Sequence, residues 1–96
     1  MTRPGFEEVR RAVEEIKGEK WEAFRDGQRD WGRDVVLWLA RRQTGLTLPE
    51  IAKAAGVADH RAAGKAVERM EKRMREEREL KQIAAQVKKV LSFVGT

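Results

Sequence analysis

The chain has no cysteine and no tyrosine, a single histidine, two prolines and no long apolar run. Without cysteine, disulfides and thiolate metal sites are excluded. His60 has no second histidine or cysteine to join it, so a zinc site of the usual donor set is excluded as well. No stretch approaches the roughly 18 apolar residues of a membrane span. The opening Met1-Thr2-Arg3-Pro4-Gly5 lacks the apolar stretch of a signal peptide. No segment alternates apolar and polar residues like a half-buried strand. A cytoplasmic protein that meets no membrane and needs no cofactor is expected.

What is present points to helices. The 96 residues, 41% of them hydrophobic, predict one domain with one shared core. Phe6, Val9, Val13 and Ile16 recur at helical spacing, so residues 5–17 read as an amphipathic helix ended by Gly18. Residues 19–26 read as a short second helix with Trp21 and Phe24 inward, broken by Gly27. Asp30 is placed to cap a third helix that runs to about Thr44 and stops at Gly45. Its middle, Val35 to Ala40, is apolar on all sides, which predicts the hub of the core. Thr47-Leu48-Pro49-Glu50 is a capping box opening a short helix that ends near Ala55, with Gly56 behind it. Asp59 then caps a long helix, roughly 60–76. A last helix starts near Arg78, with Leu80, Ile83, Val87, Leu91 and Val94 on one face. The expected fold is therefore an all-α bundle. It has an N-terminal extension over 1–29, a core over 30–76 and a C-terminal amphipathic helix over 77–96.

Charge is uneven. Residues 1–30 hold 7 Lys/Arg and 8 Asp/Glu, whereas residues 31–96 hold 14 and 8. Basicity concentrated in one part of a chain is the footprint of a nucleic-acid partner. The alternative is that Lys/Arg-rich helices keep a small protein soluble. Neighbouring carboxylates at Glu7/Glu8, Glu14/Glu15 and Glu76/Glu77 read as solvated helix faces. Trp21, Trp31 and Trp38 read as core residues rather than base-stacking platforms.

Two capped helices around a glycine turn spell a helix-turn-helix. Gly56 suits the left-handed conformation of the turn, Val57 plugs it from inside, and Ala52 is small where the second helix crosses. The usual register would bury Ala62 and Lys65. A buried lysine without a partner is costly. Moving the helix by one residue buries Ala63, Ala66, Val67, Met70 and Met74 instead, so the turn is predicted to be one residue longer than usual. Trp38, Leu39, Ile51 and Val67 are expected to be buried together. The outward face then carries His60, Arg61, Gly64, Lys65, Glu68 and Arg69. N-terminal residues of such a helix reach base edges in the major groove. Arg61 suits guanine, and His60 can donate or accept.

Leu39-Ala40-Arg41-Arg42-Gln43-Thr44, Leu48-Pro49-Glu50-Ile51 and Gly56-Val57-Ala58-Asp59-His60 carry a family likeness. From Arg33 onward the chain resembles the C-terminal DNA-binding domain of the bacterial replication initiator DnaA. In that family the last stretch lies at an extended turn into the recognition helix. The resemblance implies that Asp59 and His60 contact bases or phosphates, and that Arg33, Thr47 and Pro49 lie against the phosphate backbone. It also places Arg25 nearest a basic-loop arginine that enters the minor groove. Arg61 and Ala62 stand where the family has two threonines, and Lys65 where a histidine is common, so recognition of the initiator's own box does not carry over. Gly18-Glu19-Lys20-Trp21-Glu22-Ala23-Phe24 and Asp30-Trp31-Gly32-Arg33-Asp34 look like the C-terminal region of REP-associated tyrosine transposases, which carry a DnaA-like tail behind their nuclease. That nuclease needs a tyrosine and a histidine-rich metal site, and the initiator's ATPase needs a glycine-rich phosphate loop. None of these is in the sequence.

The expected function is thus non-enzymatic binding of double-stranded DNA. The chain would be either a stand-alone protein or a part or partner of a larger transposase-like protein. Arg33, Arg41, Arg42, Thr47 and Pro49 are expected on phosphates, and Asp59, His60, Arg61, Lys65 and Arg69 along the groove-facing helix. The alternative is a helical protein-interaction module whose DNA-reading face has decayed; Ala62, Gly64 and the missing threonine pair favour it.

Overall fold

Seven consecutive residues, Asp34 to Ala40, are buried from solvent, and the molecule is assembled around them. The computed structural model describes residues 4–25, 30–57 and 59–94. Among these residues there are six helices and no strand: α1 (Phe6–Lys17), α2 (Trp21–Phe24), α3 (Trp31–Gln43), α4 (Leu48–Ala55), α5 (His60–Glu76) and α6 (Arg78–Val94). The hub helix α3 packs against α1, α4 and α5, and α6 closes the bundle against α1 and α5. None of the described helices is long and apolar enough to cross a membrane.

The helix ends follow from their capping residues. Gly5 N–H donates to the Glu8 carboxylate at 2.8 Å, and Asp30 accepts from Gly32 N–H at 2.8 Å. Thr47 and Glu50 bond each other's backbone N–H reciprocally, and Asp59 accepts from Ala62 N–H at 2.9 Å. At Gly56 the backbone turns to φ +74°, a conformation that disfavours any residue with a Cβ, and Val57 N–H closes onto Ala52 C=O at 2.9 Å. Gly32 is required for a different reason. It is buried where α3 begins, and a Cβ there would stand 2.7 Å from the Lys17 stem and 2.9 Å from the Phe24 ring.

The N-terminal part is joined to the hub by aromatic and ionic contacts. Phe6, Trp21 and Phe24 form two edge-to-face pairs with centroids 6.1 and 5.4 Å apart. Lys17 lies over the rings of Phe24 and Trp31 while its ammonium meets Glu19 at 3.0 Å and Asp30 at 3.4 Å. Burial alone would lower the Lys17 pKa, but the hydrogen bond to Glu19 and the charge of Asp30 outweigh it and raise the value.

Four local expectations are corrected. The second helix is only Trp21–Phe24, because the Glu14 carboxylate accepts the Trp21 N–H at 2.7 Å and sets its start. Glu14 is therefore a structural acceptor rather than a solvated face. Glu77 likewise pairs with Arg73 at 2.9 Å. Val67 and Met74 are half-buried at the edge of the core rather than inside it; Trp38, Leu39 and Ile51 are buried as expected. Gly27, Ala58 and the Val94 side chain, to which sequence roles were given, lie outside the described residues.

Candidate nucleic-acid interface

The phase of α5 decides which side chains are available. Ala63, Ala66 and Met70 are fully buried, whereas His60, Arg61 and Lys65 are exposed and Ala62 is half-buried. The helix therefore sits in the shifted register, with Lys65 in solvent. Four residues separate the end of α4 from the start of α5 at this turn. Val57 is half-buried against the core from within that turn.

Exposed cations at the end of α3, on α4 and in the first two turns of α5 are Arg41, Lys53, Arg61 and Lys65. Among the described residues none of them is engaged in an ion pair. Arg41 donates from Nη1 to Leu46 C=O at 3.3 Å, which ties the end of α3 to the loop preceding Thr47. Thr47 and Pro49 are exposed at the start of α4. Their first turn has little left to offer an anion. Pro49 has no N–H, the Glu50 N–H is bonded to Thr47, and the Thr47 N–H is bonded to Glu50. These backbone and hydroxyl contacts to Thr47 hold the Glu50 carboxyl below the usual carboxylate range, so a negative charge stands there at neutral pH. Of this turn's donors the Leu48 N–H remains. Asp59 is similarly committed, since its carboxylate caps α5.

Two expected site residues, Arg69 and Arg42, are placed elsewhere. Arg69 does not project from the outward face. Its Nε and Nη2 each donate to Asp34 at 2.9 Å, because that carboxylate is wholly buried and requires a partner. The bond to Asp34 raises the Arg69 pKa. Arg42 lies over the Trp38 ring, 5.3 Å from its centroid, facing the far half of α5. Arg33 is half-buried, and its Nε has no hydrogen-bond partner among the described residues. Gly64 is half-buried beside Leu48 of α4 rather than open to solvent. Arg25 is exposed at the end of α2.

Asp34 is the structural partner of Arg69 that sequence reasoning missed. Its signal was present: a carboxylate one turn before Trp38, directly preceding the all-round apolar stretch Val35–Ala40. Among the described residues, no group of three His, Asp or Glu side chains is arranged to hold a metal ion. No protein-family model and no curated protein matches the chain.

Proposed function

We propose that this protein is a non-enzymatic, double-stranded DNA-binding module in which α4 and α5 form a helix-turn-helix. The observation that carries the reading is the register of α5. His60, Arg61 and Lys65 stand exposed in its first two turns, and the cations among them are unpaired, while the same turns are anchored by buried Ala63 and Ala66. That is the half of a recognition helix that meets base edges in the major groove. Arg61 presents a planar fork suited to guanine, and His60 can donate or accept. Arg41 and Lys53 would meet phosphates on either side of the groove. The likeness to the initiator and transposase DNA-binding domains supports the same assignment for α4 and α5, and with it a relationship to those proteins.

A second reading, a protein-interaction module, is favoured by one feature. Carboxylates of Glu50, Asp59 and Glu68 share this corner with the cations, and all three are exposed. A duplex would have to approach them as well. Fluorescence anisotropy of a labelled random duplex at low and moderate salt separates the two readings. Binding that weakens steeply with salt is expected for the DNA module. The absence of binding at low salt would sink it and favour the interaction module.

A further inference from the structure

On another part of the molecule, α3, α5 and α6 enclose an open cleft of about 810 Å³. This is within the range of small-ligand sites. Arg42, Arg75, Arg78, Lys81 and Lys88 converge on it, with Trp38 in its wall. Glu71 and Glu76 also border it, leaving an excess of positive charge. Among the described residues none of these five cations is in an ion pair. Two of them rest instead on the Trp38 ring, Arg42 at 5.3 Å and Lys88 at 4.9 Å from the centroid. The Trp38 Nε1–H is buried and has no hydrogen-bond acceptor among the described residues. Five mutually repelling cations, gathered from three helices into one cleft, lack the same thing: an anion with several acceptor oxygens. Three of the cations are arginines, whose forked donors match phosphate oxygens bidentately.

We propose that this cleft binds the phosphate chain of a small, multiply charged ligand, either an inorganic polyphosphate or a nucleoside polyphosphate. It is separate from the DNA-binding reading. His60 and Arg75 are about 22 Å apart along α5 at 1.5 Å per residue. On binding, Arg42 and Lys88 turn from the Trp38 ring toward the phosphates, so the Trp38 indole N–H reports occupancy.

The test is isothermal titration calorimetry of the full chain with tripolyphosphate, adenosine triphosphate and adenosine. The indole N–H resonance of Trp38, assigned by Trp38→Phe, is followed in parallel. Binding of one equivalent of tripolyphosphate with a shift of that resonance is expected. Adenosine triphosphate binding more tightly than tripolyphosphate identifies a nucleotide; equal binding identifies the phosphate chain alone. The double variant Arg42→Gln/Lys88→Gln should weaken binding by about tenfold or more. Arg75→Gln/Arg78→Gln, changed at two exposed positions, provides the same test should the first pair fail to fold. Arg61→Ala should leave polyphosphate binding unchanged, whatever it does to duplex binding. No binding of either polyphosphate would overturn the proposal. So would equal losses in the cleft variants and in Arg61→Ala, which would indicate diffuse attraction to a basic surface.

Discussion

Asp34 and Arg69, thirty-five positions apart, are joined by two parallel hydrogen bonds of 2.9 Å, with the carboxylate fully buried and the guanidinium about one-third exposed. Arg73 stands 3.9 Å from the same carboxylate and binds Glu77 with its Nε. The pair joins the hub helix to the middle of α5, and so fixes the rotation that leaves His60, Arg61 and Lys65 outside.

The asymmetry of this pair gives the first prediction. Arg69→Met strands a buried charge with only the distant Arg73, and should cost about 3–5 kcal/mol. Asp34→Leu/Arg69→Met removes both charges and should be less destabilised than Arg69→Met alone, because no charge is then left uncompensated in the core. Urea denaturation of the wild type and the variants measures this. An Arg69→Met loss under about 1 kcal/mol would place the pair with solvent-screened surface bridges and refute the anchoring role.

The legible and illegible parts of this molecule divide along physical lines. The register of α5 was readable because one alternative buried Lys65 and the other buried alanines and methionines, a difference of several kcal/mol at one position. The caps at Asp30, Thr47 and Asp59 were readable because a cap and its N–H lie within three residues. The Asp34–Arg69 pair was not, since it depends on where α3 crosses α5, and helical spacing says nothing about a partner on another helix. Arg42 was misplaced for the same reason, because its direction depends on Lys88 and α6 packing around Trp38. Glu14 failed at shorter range, reaching across the Gly18 turn to a backbone N–H seven residues on.

Two glycines should respond oppositely to alanine. At Gly64 an added methyl would meet only Leu48 Cδ1, at an ordinary 3.5 Å. Gly64→Ala should therefore stabilise the protein by about 0.5–1 kcal/mol through helix propensity. At Gly32 the methyl would lie within 3.1 Å of Lys17, Phe24 and Asp30 atoms. Gly32→Ala should destabilise by about 1–3 kcal/mol, as overpacking does. Thermal melts of the two variants should move in opposite directions. A fall in melting temperature for Gly64→Ala would show that α4 and α5 need the glycine's closeness.

Acid should weaken the capping box. The backbone N–H of Thr47 holds the Glu50 carboxyl below its ordinary value, and Arg73 does the same for Glu77 through a hydrogen bond. Folding thus favours the ionised forms. Their contribution is complete above the unfolded value of about 4.3 and is lost as pH falls through the lower folded value. The gap in melting temperature between wild type and Glu50→Ala should be widest at neutral pH and should shrink in acid. A gap that does not change with pH would mean that the carboxyl accepts from Thr47 equally well when protonated.

The division of labour at the proposed DNA face is testable with two arginines. Arg41 projects from the end of the supporting helix, held toward the α3–α4 loop by its bond to Leu46. In the proposed complex it would meet backbone rather than bases. Arg61 is exposed in the first turn of α5, where the proposed mode of binding would bring base edges within reach. Each phosphate neutralised releases counterion and contributes about −0.9 to the slope of log affinity against log salt. Arg41→Ala should therefore weaken binding to every duplex alike and flatten that slope by about one contact's worth. Arg61→Ala should cost about 1–3 kcal/mol on a duplex selected from a random pool and far less on its scrambled counterpart. His60→Ala should follow Arg61→Ala, since the two residues open the same helix. Anisotropy titrations of both duplexes across a salt series measure slope and discrimination together. Equal losses on the two duplexes for Arg61→Ala would remove the claim of sequence readout while leaving electrostatic binding in place. An unchanged salt slope for Arg41→Ala would place the phosphate contacts on other cations, of which Lys53 on α4 and Lys65 on α5 are exposed choices.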